Sequence, residues 1–431
     1  MDFRIKLIMV ETMVNSSVFS RALNDLVTRK ERAENGLINC IRLPFPRFRK
    51  WWPGTEKGRY IIVTANQKVG KSKLSDYLFV YDPFFYYLSN PDVFRLKVFY
   101  FTMETSKEEK FYEFLCHLLY KLDNIRIDPV RLKSTDSENP CPQAILDLLN
   151  TERYQRYIEA FEKNVIFIDN IRNPTGINKY LREYALNPEN GTLHTKDIVV
   201  VDHETGLEKT IKVIDFYEPT DPDEVRIVIQ DNFSNLTLES GMNKMQNIDK
   251  LSKYNIILRD QLDYTIVAIQ HQAQSQEGIE NFKLGKLKPS SDGLADCKTT
   301  IRDANIALGL FSPYKFEIEN YNRYDITRFK NHIRFMEIIE NRNGDSGRVC
   351  PLFFDGAVSY FEELPLPTEQ GINDWYTYVS NIRNRTVEGD LAKLATRSHS
   401  LFFTHTSNKT IKIRSKFNIL YNKLKKVFKW Q

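Results

Sequence analysis

The sequence predicts an α/β fold: a mostly parallel sheet with helices on both faces and a C-terminal antiparallel extension. Three observations predict it. Apolar runs of strand length alternate with helix-like stretches from about residue 59 to residue 311. Those runs are nearly unbroken in apolar character, as in strands buried on both faces, rather than alternating with polar residues. Between the first run and the helix-like stretch after it lies "ANQKVGKS", residues 65 to 72, a short loop ending in Gly-Lys-Ser.

The elements follow in order. Residues 17 to 34, "SVFSRALNDLVTRKERAE", read as a helix: Val18, Ala22, Leu23 and Leu26 share a face, Ser17 is placed to cap it, and Gly36 stops it. Its single apolar stripe needs something to pack against. The segment "LPFPRFRKWWPGTEKG" then turns repeatedly before the first core strand. Strands are expected at "RYIIVTA", "LKVFYFTM", "NVIFID", "VRIVIQD", "YTIVAIQ" and "ANIALGLF". Residues 189 to 224 break the alternation and read as an inserted hairpin turning at residues 204 to 206. After Lys330 the texture becomes that of a short antiparallel set, with turns at Asn343-Gly344 and Asp355-Gly356. Beyond about residue 366 regular periodicity is lost. The expected organisation is an N-terminal segment with a linker helix (1–45), a main domain (46–365) carrying the insertion, and a basic tail (366–431). No internal repeat is visible.

Composition narrows the function classes. With 431 residues, 42% hydrophobic and 27% charged, the chain has the make-up of an ordinary soluble globular protein, and 28 Phe with 22 Tyr allow a substantial core. The net charge of +5 says little, but its distribution says more. From residue 401 onward there is no acidic residue, while Lys409, Lys412, Arg414, Lys416, Lys423, Lys425, Lys426 and Lys429 crowd together. Such a tail suits a polyanion, and equally a solvated chain end. The five scattered cysteines show no metal-ligand spacing and point to a reducing compartment. No signal peptide or membrane span is legible, so a cytoplasmic protein without a membrane partner is expected.

The loop carries the chemistry. In a phosphate-binding loop, successive backbone N–H groups hold an anion at the N-terminus of the next helix. Its lysine neutralises the terminal phosphates and the following hydroxyl ligates magnesium. Lys71 and Ser72 fit those roles, Gly70 allows close approach, and Ala65, Asn66, Gln67, Lys68 and Val69 complete the cradle, although the usual first glycine is Ala65. Gly-Lys-Ser is common by chance, but less so between a strand and a helix. Asp231 closes "VRIVIQD" and is a candidate for the magnesium site; Glu104 ends "LKVFYFTME" and is a candidate base for an attacking water. Either alone reads equally well as a surface carboxylate at a strand end. His271, at the tip of "YTIVAIQ", is a candidate phosphate sensor with Gln270 as its competitor, and its plainer role is a histidine satisfied by local hydrogen bonds.

These residues resemble the C-terminal motor domain of DnaB-type replicative helicases, a RecA-like P-loop ATPase core. The matching stretches are "ANQKVGKS", whose initial Ala is common in that family, "FTMETSKEE", "IVIQDN", "IVAIQHQAQ", "KPSSDGLADCKTTIRDANIALGLF" and "MEIIENRNGDSGRVCPLFFDGAVSYFEEL". They cover about residues 37 to 365. The resemblance implies a catalytic role for Glu104, a magnesium-site role for Asp231, a sensing role for His271, and a role for Arg342 as an arginine finger lent to a neighbouring subunit. The helix at 17 to 34 takes the place of the linker helix that docks on the neighbour. Three departures stand out: the family's N-terminal helical domain has no counterpart, its basic residue two positions before the arginine is Glu340, and the basic tail is unmatched.

The resemblance further implies ATP and Mg2+ as cofactors, a homo-oligomer in the form of a hexameric ring, and single-stranded and forked DNA as partners, with a primase or loader beside them. Polarity by resemblance is 5′ to 3′. DNA-facing loops are expected at residues 232 to 242 and 274 to 292, where Lys283, Lys286 and Lys288 could meet phosphates. Two other readings stay open: a RecA-like recombinase or DNA-pairing ATPase that forms filaments, and a nucleotide-dependent DNA clamp or scaffold without unwinding.

Overall fold

The computed structural model describes residues 18–201 and 208–404. Its strands are β1 (Ile41–Arg42), β2 (Gly54–Thr55), β3 (Tyr60–Ala65), β4 (Arg95–Thr102), β5 (Val165–Ile168), β6 (Gly191–Val201), β7 (Glu208–Pro219), β8 (Glu224–Asp231), β9 (Thr265–His271), β10 (Ile306–Phe311), β11 (Asn320–Tyr321), β12 (Tyr324–Asp325), β13 (Ile333–Asn341), β14 (Val349–Asp355) and β15 (Tyr360–Glu363). Nine of them form one sheet in the order β15-β14-β13-β10-β3-β9-β8-β4-β5. From β10 to β5 all neighbours run parallel, and β13 adds to β10 antiparallel. The fold class read from the sequence is the one observed.

The apolar runs form central strands because both faces of each are covered. Every residue of β3 and β10 is buried. Tyr60, Ile62, Phe99, Phe101, Val228 and Ile266 of the sheet share a core with Ile177 and Leu181 of the helix Pro174–Ala185 and with Leu251, Leu258 and Leu262 of the helix Lys244–Leu262. That last helix opens with a capping box in which Asn243 and Gln246 satisfy each other's backbone N–H groups.

By compactness the chain divides into two interleaved units. The first comprises Met1–Thr105, Asn164–Ser312 and Arg334–Leu352; the second comprises Ser106–Lys163, Pro313–Ile333 and Phe353–Gln431. The first holds every residue discussed below as a site. In the second, Ser106 caps the helix Lys107–Asp123, Phe114 stacks on Phe161 at 3.5 Å, and Arg126 grips the buried Asp355 through both carboxylate oxygens, at 2.6 and 3.0 Å.

Three expectations meet a different outcome or fall outside the described residues. Residues beyond 366 are not an irregular tail: Ile372–Ile382 and Val387–Thr404 are helices, the former burying Ile372, Tyr376, Val379 and Ile382. A stripe interrupted by Trp, Tyr and Asn hid that periodicity. The inserted segment is a hairpin of β6 and β7 with Ile198 opposite Ile211, but its turn at 204 to 206 lies outside the described residues, as do Ser17 and the basic cluster from Lys409 to the end. The first helix, α1 (Val18–Glu34), buries no residue. Arg21, Arg29 and Arg32 tie it to Asp215, Glu56 and Asp223, while Val18, Phe19, Leu23, Leu26 and Val27 stay exposed. Among the described residues no helix is long and apolar enough to cross a membrane.

Candidate active site

Parallel strands align their C-terminal ends, and open α/β sheets bind ligands there. Ala65 pairs with His271 across β3 and β9, Asp231 with Ile269 across β8 and β9, and Thr102 with Asp231 across β4 and β8. That register gathers the loop after Ala65, Glu104, Asp231 and His271 at one end of the sheet.

The loop leaves β3 with Asn66 buried, Gln67 and Lys68 exposed and Val69 buried. Lys68 and Gly70 have φ of 59° and 103°. At Gly70 a side chain would be strained, which is why glycine stands there. Gly70 caps α2 (Lys71–Asp76), whose first helical hydrogen bond runs from Leu74 N to Gly70 O at 2.9 Å. Lys71 is 7% exposed, so its ammonium sits at the loop rather than in bulk solvent.

Ser72 Oγ donates to Asp231 Oδ1 at 3.1 Å. The other carboxylate oxygen of Asp231 lies 3.0 Å from the Tyr100 hydroxyl, which also lies 2.8 Å from Asp76 Oδ1. One hydroxyl proton thus serves two buried carboxylates.

Asn232, fully buried, ties two candidate residues together. Its Oδ1 accepts from Ser234 N at 3.0 Å, which turns Nδ2 toward Glu104 Oε2 at 2.5 Å and His271 Nε2 at 3.3 Å. Because the amide nitrogen can only donate, His271 Nε2 accepts and the imidazole proton sits on Nδ1. Burial pushes the His271 pKa down, with the Lys71 charge adding to it, to about 4, so the ring is neutral at ordinary pH. Nδ1 is itself buried without a hydrogen-bond partner, as are both side-chain polar atoms of Asn66. Unmade hydrogen bonds at a buried donor cost about 1–3 kcal/mol. The unpartnered atoms lie on and beside a loop built to hold an anion, and together with the Ser72–Asp231 pair they fit a nucleotide with its magnesium.

Gln270, weighed against His271, faces elsewhere. Its amide nitrogen donates to Ala295 O at 2.6 Å and Cys297 O at 2.7 Å, and its oxygen accepts from Thr300 Oγ1 at 2.7 Å. Gln272 likewise bonds Thr64 Oγ1 and the backbone of Ser290. The end of β9 therefore clamps residues 290 to 300, immediately after the segment with the candidate DNA-facing lysines. Lys283 and Lys286 are exposed there beside Ile279, Phe282 and Leu284. Lys288 is drawn to Glu337 at 2.8 Å. In the other expected loop, Glu239 accepts from Lys250, Thr175 and Asn173. Desolvation opposes its ionisation, yet those bonds bring its pKa down to about 2.

Arg342 is not brought to this end. Asn341 pairs with Ile306, and Ile306 with Ile61 near the start of β3. Arg342 N donates to Asn305 O at 2.9 Å and its guanidinium donates to Arg302 O, while Asn305 N donates to Tyr60 O at 2.7 Å. The length of β3, about 3.3 Å per residue, separates the arginine from its own loop.

Sequence reasoning missed Asn232, Tyr100 and Arg334. Asn232 had a signal, a polar residue directly after the strand-closing aspartate. Arg334 had one too, a cation at the head of an otherwise apolar strand pattern.

Two solved structures share this fold. One is the ATPase domain of a phage helicase, at 15% identity and a TM-score of 0.54, covering 81% of this chain and 100% of that one. The other is a DnaB-like replicative helicase studied with its interactions with primase, at 15% identity and a TM-score of 0.54, covering 81% of this chain and 68% of that one. The chain therefore has the RecA-like P-loop ATPase fold of DnaB-type motor domains. No protein-family model and no curated protein matches it.

Proposed function

We propose that the chain is an ATP-driven DNA helicase of the replicative type, assembling as a ring, most simply a hexamer, that moves along single-stranded DNA 5′ to 3′ and parts the duplex at a fork. The observation that carries this is the placement of Arg342. Lys71, Ser72, Glu104, Asp231 and His271 collect at one end of the sheet, while the arginine of the Asn-Arg-Asn-Gly turn projects at the other. A single copy holds a nucleotide site and a finger that cannot meet; two copies side by side complete the site. The exposed apolar stripe of α1 gives such copies a surface to share.

The residues divide the work. The cradle from Ala65 to Ser72 binds the phosphates, with Lys71 facing the terminal ones. Ser72 and Asp231 hold Mg2+, which supplies charge against the phosphate oxygens. Glu104, aimed by Asn232, orients the attacking water and takes its proton. The neighbour's Arg342 stabilises charge that develops on the transferred phosphoryl group. His271 offers its free Nδ1–H to the terminal phosphate. Loss of that contact passes along β9 to residues 290 to 300 and so to the exposed loop with Lys283 and Lys286, which meets DNA phosphates without regard to sequence.

The deciding experiment is unwinding of a forked duplex with ATP and Mg2+ by wild type, Lys71→Ala and Arg342→Ala. Strand displacement by wild type alone is expected. DNA-stimulated hydrolysis without displacement would remove the helicase assignment and leave the recombinase or clamp readings.

A further inference from the structure

Arg334 is one of the largest fully buried side chains, 2% exposed, at the head of β13. Its Nε donates to the carbonyl oxygen of Val69 at 2.7 Å. Phe335 pairs with Phe311, one residue beyond Leu310, the partner of Ala65. The guanidinium therefore lies level with the phosphate loop, two strands away from β3. A buried cation is expensive unless its position is used. Burial brings its pKa down to about 9, which leaves it charged at neutral pH.

We propose that Arg334 is a positioning residue for the nucleotide: by holding the Val69 carbonyl it aims the Gly70 N–H into the phosphate cradle. The peptide unit is planar and trans, so its C=O and N–H point in opposite directions. Fixing the Val69 oxygen toward β13 fixes the Gly70 hydrogen away from it, and Gly70, at φ 103°, has the conformational freedom to turn otherwise. The same strand ends at Asn341, next to Arg342. One rigid element thus carries the brace of its own loop at one end and the finger for a neighbour's site at the other. This inference rests on the nucleotide-site reading above.

The test is titration of a fluorescent ADP analogue into wild type, Arg334→Met and Arg334→Lys, with thermal unfolding of each and steady-state ATPase kinetics. A charge-assisted hydrogen bond of this kind corresponds to about a tenfold change in affinity. Arg334→Met is expected to bind the analogue about tenfold more weakly and to raise KM for ATP more than it lowers kcat. Arg334→Lys, which keeps a cationic donor, is expected to recover part of the loss. Equal binding by wild type and a folded Arg334→Met overturns the proposal, as does a loss that Lys does not mend. Should Arg334→Met fail to fold, Arg334→Lys and Arg334→Gln carry the comparison: Lys binding no better than Gln overturns it, and Lys binding better supports it. A wild type that binds no nucleotide would instead sink the site reading itself.

Discussion

Asn232 and Glu104 meet at 2.5 Å, an amide donor pressed against a carboxylate otherwise open to solvent. The amide is held from behind by Ser234 and reaches His271 with the same nitrogen. Asn232→Ala should therefore leave nucleotide binding near wild type and reduce kcat roughly 10- to 100-fold, since Glu104 and His271 both lose their orientation. ATPase kinetics check this. A kcat within twofold of wild type would show that Glu104 needs no such support.

Mixing Lys71→Ala with Arg342→Ala should restore hydrolysis that neither has alone. Each is expected to lose about 10³-fold in kcat, the weight of a phosphate-site lysine or an arginine finger. In randomly mixed head-to-tail assemblies about a quarter of interfaces pair an intact Lys71 with an intact Arg342. Activity of the mixture no higher than the mean of its components would mean that Arg342 does not act across an interface.

His117 gives the second unit a pH dependence. Its Nδ1–H donates to Val358 O at 2.8 Å, and burial lowers its pKa from 6.5 to about 4. The folded pKa lies below the unfolded one, so between these values the unfolded chain binds more protons. Stability from this residue is complete above pH 6.5 and is lost as pH falls toward 4, by roughly 3 kcal/mol at most. His117→Asn, whose amide can still reach Val358, should flatten that part of the profile. Urea unfolding of both proteins at pH 7 and pH 4.5 measures it; parallel losses would contradict the assignment.

Gly293→Ala should loosen the clamp at the end of β9. A Cβ there would stand 1.9 Å from Gln272 Oε1, an atom already accepting from Ser290 N. Moving that side chain also disturbs its bond to Thr64. Destabilisation of about 1–3 kcal/mol is expected, with basal ATP hydrolysis retained and its stimulation by single-stranded DNA reduced. Thermal unfolding and ATPase assays with and without DNA decide it; unchanged stimulation would uncouple this segment from DNA.

The parallel core was legible because its strands are unbroken apolar runs, and the phosphate loop because its spacing is local. Asp231, Glu104 and His271 were legible as strand-end residues. Their bridging partner was not, since the contact between Asn232 and Glu104 spans 128 positions in the chain. The second unit escaped for the same reason: it is assembled from three separated stretches, each of which looks like a connection within the first. Lys288 looked free in sequence, but Glu337 on β13 reaches it. The helices after residue 372 were hidden by aromatic residues that occupy buried and exposed positions alike.

The position of Arg342 beside Tyr60, at the rim of the sheet farthest from Lys71, also bears on how fuel is spent. If each burning step needs two chains, turnover per chain must rise with chain concentration and collapse on dilution, while nucleotide stays bound. A solitary copy would then idle fully loaded, and nothing would be wasted until its neighbours arrive.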